Sequence, residues 1–153
     1  MKKIIIILFL AVLPTVTFAQ DAFTKFEDKD GIDVVVVNKK MFELLGSVEA
    51  TGVEKEAQKY LKQVKNLDKL KVFSTSQINY IKDMETTVAA YLKQNSLEEL
   101  ISFNNSGHKG KLYVKSGKKA SDVKEFLLFS KGGKKNEAVL VSFTGNVNLN
   151  DFK

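Results

Sequence analysis

Apolar and polar residues alternate with a period of two along most of the C-terminal part of the chain. The alternation occupies the segments LEELISFN, GKLYVKS, VKEFLLFS and EAVLVSFTG, which glycine- and lysine-rich stretches separate. This period is typical of β-strands, because successive side chains of a strand point to opposite faces of a sheet. Strands that follow one another through short turns predict an antiparallel meander of four strands.

The N-terminal part begins with two segments that have helical spacing. A short helix in DAFTKFEDKDG would place Phe23 and Phe26 on one side and end at Gly31. In MFELLGSV the apolar residues at helical spacing are Met41, Leu44, Leu45 and Val48. Tandem helices are therefore expected here, since the ATG stretch interrupts the pattern before the next helix begins.

Two stronger helices follow. In the first, Thr51 and Glu54 have the spacing of a capping box. Its apolar stripe contains Val53, Ala57, Tyr60, Leu61 and Val64. The second and longest helix, in QINYIKDMETTVAAYLKQ, ends near Asn95 and carries on one face Ile78, Ile81, Met84, Val88, Tyr91 and Leu92. We interpret both stripes as packing surfaces.

Two further strands lie among these helices, in IDVVVVN and in LDKLKVFSTS. Alternation in the second strand places Lys71 and Phe73 on the side opposite Leu70 and Val72, and its serines and threonine are expected to cap the following helix. The complete order predicts an α+β fold. We expect a single, mostly antiparallel sheet of about six strands that ends in the four-strand meander, with helices packed on one face.

The first twenty residues, MKKIIIILFLAVLPTVTFAQ, have a different pattern. Two lysines precede an apolar run, and the small-residue pattern up to Ala19 is typical of a signal-peptide cleavage site. The run is shorter than the ~20 apolar residues that a membrane-spanning helix needs, and Pro14 interrupts it. We therefore predict a signal peptide at residues 1–19 and a single domain at residues 20–153, which is periplasmic or secreted and has no stable membrane anchor.

Composition excludes several functions. The chain has no cysteine, which rules out thiol nucleophiles, thiolate metal sites and disulfides. The formal net charge is +6, and the 24 cationic residues are all lysine. Without arginine the chain lacks the planar fork that reads base edges in two-point contacts, so we do not expect it to bind nucleic acid.

The segment NNSGHKGKLYVKSGKK, residues 104–119, superficially resembles a phosphate-binding loop. Such a loop has four residues between its first glycine and the Gly-Lys pair, whereas Gly107 and Gly110 enclose two, and a strand pattern follows where a helix is needed. His108, the only histidine, has neither a nucleophile nor a further metal ligand at a useful spacing. We predict a hairpin turn in which His108 is exposed to water and dispensable.

Carboxylates offer no distinct catalytic or metal site. The segment DKDGID alternates acids as a calcium loop does, but it lacks the glutamate of the twelfth loop position. A carboxylate pair remains open as an alternative, since four glutamates lie near predicted strand ends: Glu98, Glu99, Glu125 and Glu137. No catalytic residue, metal or cofactor is predicted, and a carboxylate-based periplasmic hydrolase is the alternative function.

Nine lysines between residues 109 and 135 concentrate the positive charge in the meander. The candidates for weak contact with a polyanion are Lys109, Lys111, Lys115, Lys118 and Lys119. Successive turns of a meander lie at alternate ends of a sheet, so these lysines need not form one patch. The competing interpretation is that they are solvated and protect the strands from pairing with other chains.

The last two predicted strands are apolar on both faces, as in Phe126 and Leu128 against Leu127 and Phe129. One layer of helices covers only one face of a sheet. Either the N-terminal segment or a partner must then cover the second face, because monomers seldom expose broad apolar patches. We expect a protein partner or a homodimer to bind through this face.

Four segments together resemble those of a known family: FTKFEDKDGIDVVVVNKKMFELL, LDKLKVFST, VKEFLLFS and AVLVSFTGNVNLNDF. The chain resembles the family of the domain of unknown function 4252, small exported proteins of Bacteroidota. The resemblance implies an exported compartment and this fold, and it brings no catalytic residues. Many members look like lipoproteins with a cysteine after the signal, whereas this chain has Gln20. The sequence predicts a non-catalytic exported binding or interaction domain of the cell envelope.

Overall fold

The computed structural model describes residues 21–47, 58 and 64–152. In this part of the chain, six strands form one antiparallel sheet in the order β1-β2-β6-β5-β4-β3, and the predicted α+β fold is confirmed. The strands are β1 Asp33–Asn38, β2 Leu67–Thr75, β3 Glu98–Asn105, β4 His108–Ser116, β5 Asp122–Gly132 and β6 Glu137–Asn148. The helices are α1 Lys39–Ser47, α2 Ile78–Gln94 and two 3₁₀ helices, Asp21–Phe26 and Leu149–Phe152.

The predicted meander of β3, β4, β5 and β6 is present. Ser106 and Gly107 both have positive φ, 52° and 80°, which is the geometry of a tight two-residue hairpin between β3 and β4. Helix α2 carries the chain from β2 to β3 at the far edge of the sheet, and the meander then returns until β6 pairs with β2. This path leaves β1 and β3 as the two edge strands.

Helix α2 covers one face of the sheet, which we call the helix face. Phe73, Leu127 and Leu140 point to this face from three central strands and are completely buried, together with Met84 of α2. The opposite face, which we call the outer face, carries the alternate residues of the same strands. Outer-face side chains such as Leu128 and Val141 are half-buried.

The N-terminal segment packs on the helix face. The ring of Phe23 lies 5.1 Å from that of Tyr91, and the ring of Phe26 lies 5.9 Å from that of Phe73. The alternative in which this segment crosses the second sheet face is therefore wrong. Its two phenylalanines complete the core beside α2, as their predicted position on one side of a short helix allows.

A buried ion pair also fastens this segment to the sheet. The Lys71 Nζ lies 2.7 Å from a Glu27 carboxylate oxygen and donates to the Thr24 hydroxyl at 3.0 Å, and Lys71 is 2% exposed. The period of two in β2 correctly predicted that Lys71 lies on the same face of the strand as Phe73. The partners of Lys71 come from the N-terminal segment and are distant in sequence.

The predicted helix faces need two corrections. In α1 the buried residue is Phe42, while Met41, Leu44 and Leu45 are exposed. Val48 and most of the next predicted helix, including its Thr51 and Glu54 capping box, lie outside the described residues. In α2 the first residue of the predicted stripe, Ile78, is 59% exposed, because the buried stripe begins one turn later at Ile81.

The start of α2 also differs from the prediction. Its N-cap is Gln77, and no side chain caps it there. The Thr75 hydroxyl instead accepts a hydrogen bond from the Gln77 backbone N–H at 3.1 Å and donates to the Gly31 carbonyl at 2.6 Å. Thr75 thus joins the end of β2 to the loop before β1, and it acts from two residues before the cap position.

Candidate functional site: a groove beside α2

A groove of about 410 Å³ lies on the helix face between α2 and the strands near the β3 edge. It exists because α2 packs on β5 and β6, while the sheet continues past the helix to β4 and β3. Its size falls within the ~300–1,000 Å³ of small-molecule sites. The groove is therefore a concave surface large enough for a small ligand.

One side of the groove is apolar. Val88 and Leu92 of α2 form a wall, and Tyr113 of β4 and Phe129 of β5 form the floor. Leu92 belongs to the predicted apolar stripe of α2, but it is only half-buried and lines the groove. Part of the packing surface that the sequence predicts is thus open to a ligand.

Lysines line the other side of the groove. Lys109 of β4 and Lys131 of β5 are direct cross-strand neighbours, an arrangement in which like charges repel each other. The Lys131 Nζ lies 2.6 Å from a carboxylate oxygen of Glu85 on α2, which compensates its charge. Within the described residues Lys109 has no carboxylate partner, so a local positive charge remains at the groove.

A third lysine, Lys111, lies 2.8 Å from a Glu99 carboxylate oxygen on the edge strand. The hydrogen bond to Glu99 and the charge of that carboxylate raise the pKa of Lys111. The side chains of this pair and of the Lys131–Glu85 pair are each between 40% and 51% exposed. Ion pairs in such positions are weak, so an anionic ligand can exchange with their carboxylates at little cost.

The five predicted lysines do not form one patch. Lys109 and Lys111 line the groove, whereas Lys115 lies farther along the same face, and Lys118 and Lys119 lie in the connection between β4 and β5 at the opposite end of the sheet. Lys131 completes the cationic side of the groove and was not among the predicted site residues. Alternation and hairpin ends place Lys131 near Lys109, but only the strand register shows that the two are opposite each other.

His108 is not a water-exposed turn residue as predicted. It is the first residue of β4, it is half-buried, and its Nε2 lies 3.2 Å from the Ser130 hydroxyl. Its ring is parallel to that of Phe103, with 6.4 Å between the centroids. Strand pairing begins directly after the two-residue turn, so His108 has structural partners on the outer face.

The four glutamates of the alternative hydrolase lie on three different strands, and no two of them are cross-strand neighbours. Glu125 is nevertheless unusual, because it is 2% exposed beneath α2 and accepts a short hydrogen bond from the Tyr91 hydroxyl. Burial raises the pKa of the Glu125 carboxyl, while the Tyr91 hydrogen bond and the Lys115 charge act in the opposite direction. Burial also raises the pKa of Tyr91, so its hydroxyl remains a donor.

No group of three or more histidine, aspartate or glutamate side chains in the described ranges is arranged to hold a metal ion. No described helix is both long and apolar enough to cross a membrane.

The fold and the groove define a small α+β domain with one helix-covered sheet face and a lysine-lined cleft beside the helix. The family comparison places it further: residues 26–153 match the domain of unknown function DUF4252, and the chain belongs to this family. The family predicted from the sequence is thus confirmed. A search of curated proteins and a search of solved structures found no match.

Proposed function

We propose that this protein is a non-catalytic binding domain that holds a free anionic amphiphile in the groove beside α2. The ligand class is a single-chain molecule with an apolar body and one carboxylate, phosphate or sulfate group. The observation that carries the proposal is the placement of Lys109, which has no carboxylate partner among the described residues, next to the apolar wall of Leu92 and the floor of Tyr113. We further propose that the domain acts outside the cytoplasm, after removal of residues 1–19.

Each half of the groove favours one half of such a ligand. Burying an alkyl chain against the apolar wall and floor contributes about 25 cal/mol per Å² of apolar surface removed from water. The anionic group would compensate Lys109 and relieve its repulsion with Lys131. A free amphiphile fits better than a membrane surface, because the apolar groups lie in a concavity between α2 and the sheet and do not project outward.

Binding can be tested with dodecanoate below its micelle concentration, with dodecanol as the neutral probe of equal chain length. Titration is followed by calorimetry and by the methyl NMR signals of Val88 and Leu92. We expect dodecanoate to shift both methyl signals and to bind more tightly than dodecanol. Added salt should weaken the binding of dodecanoate more than that of dodecanol, since it screens the lysine charge.

Matched lysine variants identify the site of the anionic group. Lys109→Gln should weaken dodecanoate binding about 2- to 5-fold, as expected for one solvent-accessible ion pair. Lys118→Gln makes the same change of charge at the opposite end of the sheet and should have no effect. Equal losses for the two variants would reduce the interaction to general attraction by net charge and would overturn the assignment.

Two other results would contradict the proposal. If dodecanoate leaves the Val88 and Leu92 signals unchanged, the groove does not accept an alkyl chain. If the protein cosediments with vesicles of anionic phospholipid but does not respond to monomeric dodecanoate, its ligand is a membrane surface, which is a different kind of partner.

A further inference from the structure

The outer face of the sheet carries continuous rows of apolar side chains. One row crosses all six strands and contains Val35, Val72, Val141, Leu128, Leu112 and Ile101. The adjacent row crosses five strands and contains Val37, Leu70, Phe143, Phe126 and Val114. Leu127 and Leu140 on the helix face are completely buried, whereas most residues of these rows remain partly exposed and Ile101 is 52% exposed.

Neither the N-terminal segment nor α1 nor α2 covers the half of this face formed by β5, β4 and β3. The N-terminal segment and α2 lie on the helix face. Helix α1 contacts β1 and β2, at the other side of the sheet. In the described part of the chain we therefore call the outer face of β5, β4 and β3 the uncovered half.

The chemistry of the uncovered half suits a second copy of the same chain. The strand lysines Lys109, Lys111, Lys115 and Lys131 point to the helix face. The charged residues that border the second row, Glu98 opposite Val114 and Lys124 two residues before Phe126, have opposite signs. Near the centre, the rings of Phe126 and Phe143 stack with 4.4 Å between their centroids. Two identical copies could therefore meet about a two-fold axis without burying like charges, even though each has a net positive charge.

We propose that the outer face at β6, β5, β4 and β3 is the interface of a homodimer. Four strands about 4.8 Å apart, with about six residues each, present roughly 400 Å² in projection per copy, and side-chain relief adds to this accessible area. The total approaches the lower end of specific interfaces, about 1,200 Å². We expect a dimer that dissociates in the micromolar range, because interfaces at this lower limit of area are typical of weak, transient contacts.

Association can be measured by sedimentation velocity of the purified protein across the micromolar range. Ile101→Lys places a charge in the proposed interface at a position that is already 52% exposed in the folded chain. We expect this variant to shift the equilibrium at least tenfold toward monomer. Ile78→Lys is the matched control, since it makes the same change at a 59% exposed position on α2 and should dimerise as the wild type does.

A measurement on the wild-type protein tests the same interface without depending on whether the variants fold. On dilution, the methyl NMR signals of Leu112 and Leu128 should shift, while those of Val88 and Leu92 on the helix face should not. A protein that is monomeric at every concentration would overturn the proposal. In that case, contacts between Tyr60 and these outer-face methyl groups would show that the chain covers its own face, and their absence would assign the face to a different protein.

Discussion

The buried hydrogen bond between Tyr91 and Glu125 allows a sharp test of how this fold tolerates a carboxylate beneath α2. Both residues are 2% exposed, and the Tyr91 hydroxyl donates to Glu125 Oε1. Tyr91→Phe removes this donor but keeps the ring, which packs against Phe23 at 5.1 Å. The substitution therefore changes one hydrogen bond and leaves the hydrophobic contact in place.

The expected loss depends on pH. A hydrogen bond to a charged group contributes about 1.5–3 kcal/mol, and one between neutral groups contributes about 1 kcal/mol. Burial raises the folded-state pKa of Glu125 above the ordinary value of 4.5, so the folded protein binds the proton more tightly than the unfolded chain does. The stability that this proton contributes is complete below that value and is lost as the pH rises through the folded-state pKa. At two pH values that bracket the folded-state pKa of Glu125, Tyr91→Phe should thus cost about 1.5–3 kcal/mol at the higher pH and about 1 kcal/mol at the lower.

Urea unfolding at the two pH values measures these losses for the wild type, Tyr91→Phe, Glu125→Gln and the double variant. In the Glu125→Gln background, the Tyr91 substitution should cost about 1 kcal/mol at both pH values, since the glutamine cannot ionise. Tyr80→Phe is the matched control, because Tyr80 also packs against the core but donates to no carboxylate in the described part of the chain. It should cost less than about 0.5 kcal/mol.

One result would refute this reasoning. Suppose that Tyr91→Phe costs the same at both pH values and in both backgrounds. The Tyr91 hydroxyl then does not stabilise the charged form of the Glu125 carboxyl more than its neutral form. The loss would then come from packing alone.

Two further predictions concern the N-terminal segment. Glu27→Gln should destabilise the fold by about 2 kcal/mol in urea melts, because it leaves the buried Lys71 ammonium without the carboxylate at 2.7 Å. Lys71→Met should cost less, since it removes the buried charge as well. A larger loss for Lys71→Met than for Glu27→Gln would contradict this prediction. The protein recovered from an osmotic-shock fraction should have the intact mass of a chain that begins at Gln20, and a mass that retains residues 1–19 would remove the proposed export.

The fold could be predicted because its main signals are local. Each strand of the meander alternates over enough residues to fix its two faces, and Leu127 and Leu140 are buried on the side that alternation allows. The helix faces were less certain, because a short helix such as α1 permits more than one apolar stripe. The structure buries Phe42 of α1, which the spacing of Met41 and Leu44 did not single out.

The groove could not be predicted because it depends on distances between elements. The apolar stripe of α2 shows that Val88 and Leu92 lie together, but it does not show that the sheet extends past the helix at Leu92. The lysine pair likewise depends on the register of β4 against β5, which places Lys109 opposite Lys131. The same limit explains His108, since its partners Ser130 and Phe103 lie on neighbouring strands and leave no pattern around it.

The two proposed contacts use opposite faces of the same strands, and this separation follows from the period of two. On β4, the odd positions Lys109, Lys111 and Tyr113 point into the groove, and the even positions Leu112 and Val114 point to the outer face. A charge on one face is therefore held away from the apolar surface of the other by the thickness of a single sheet. Binding of an anion and association of two copies consequently depend on different side chains, so the failure of either proposal leaves the evidence for the other unchanged.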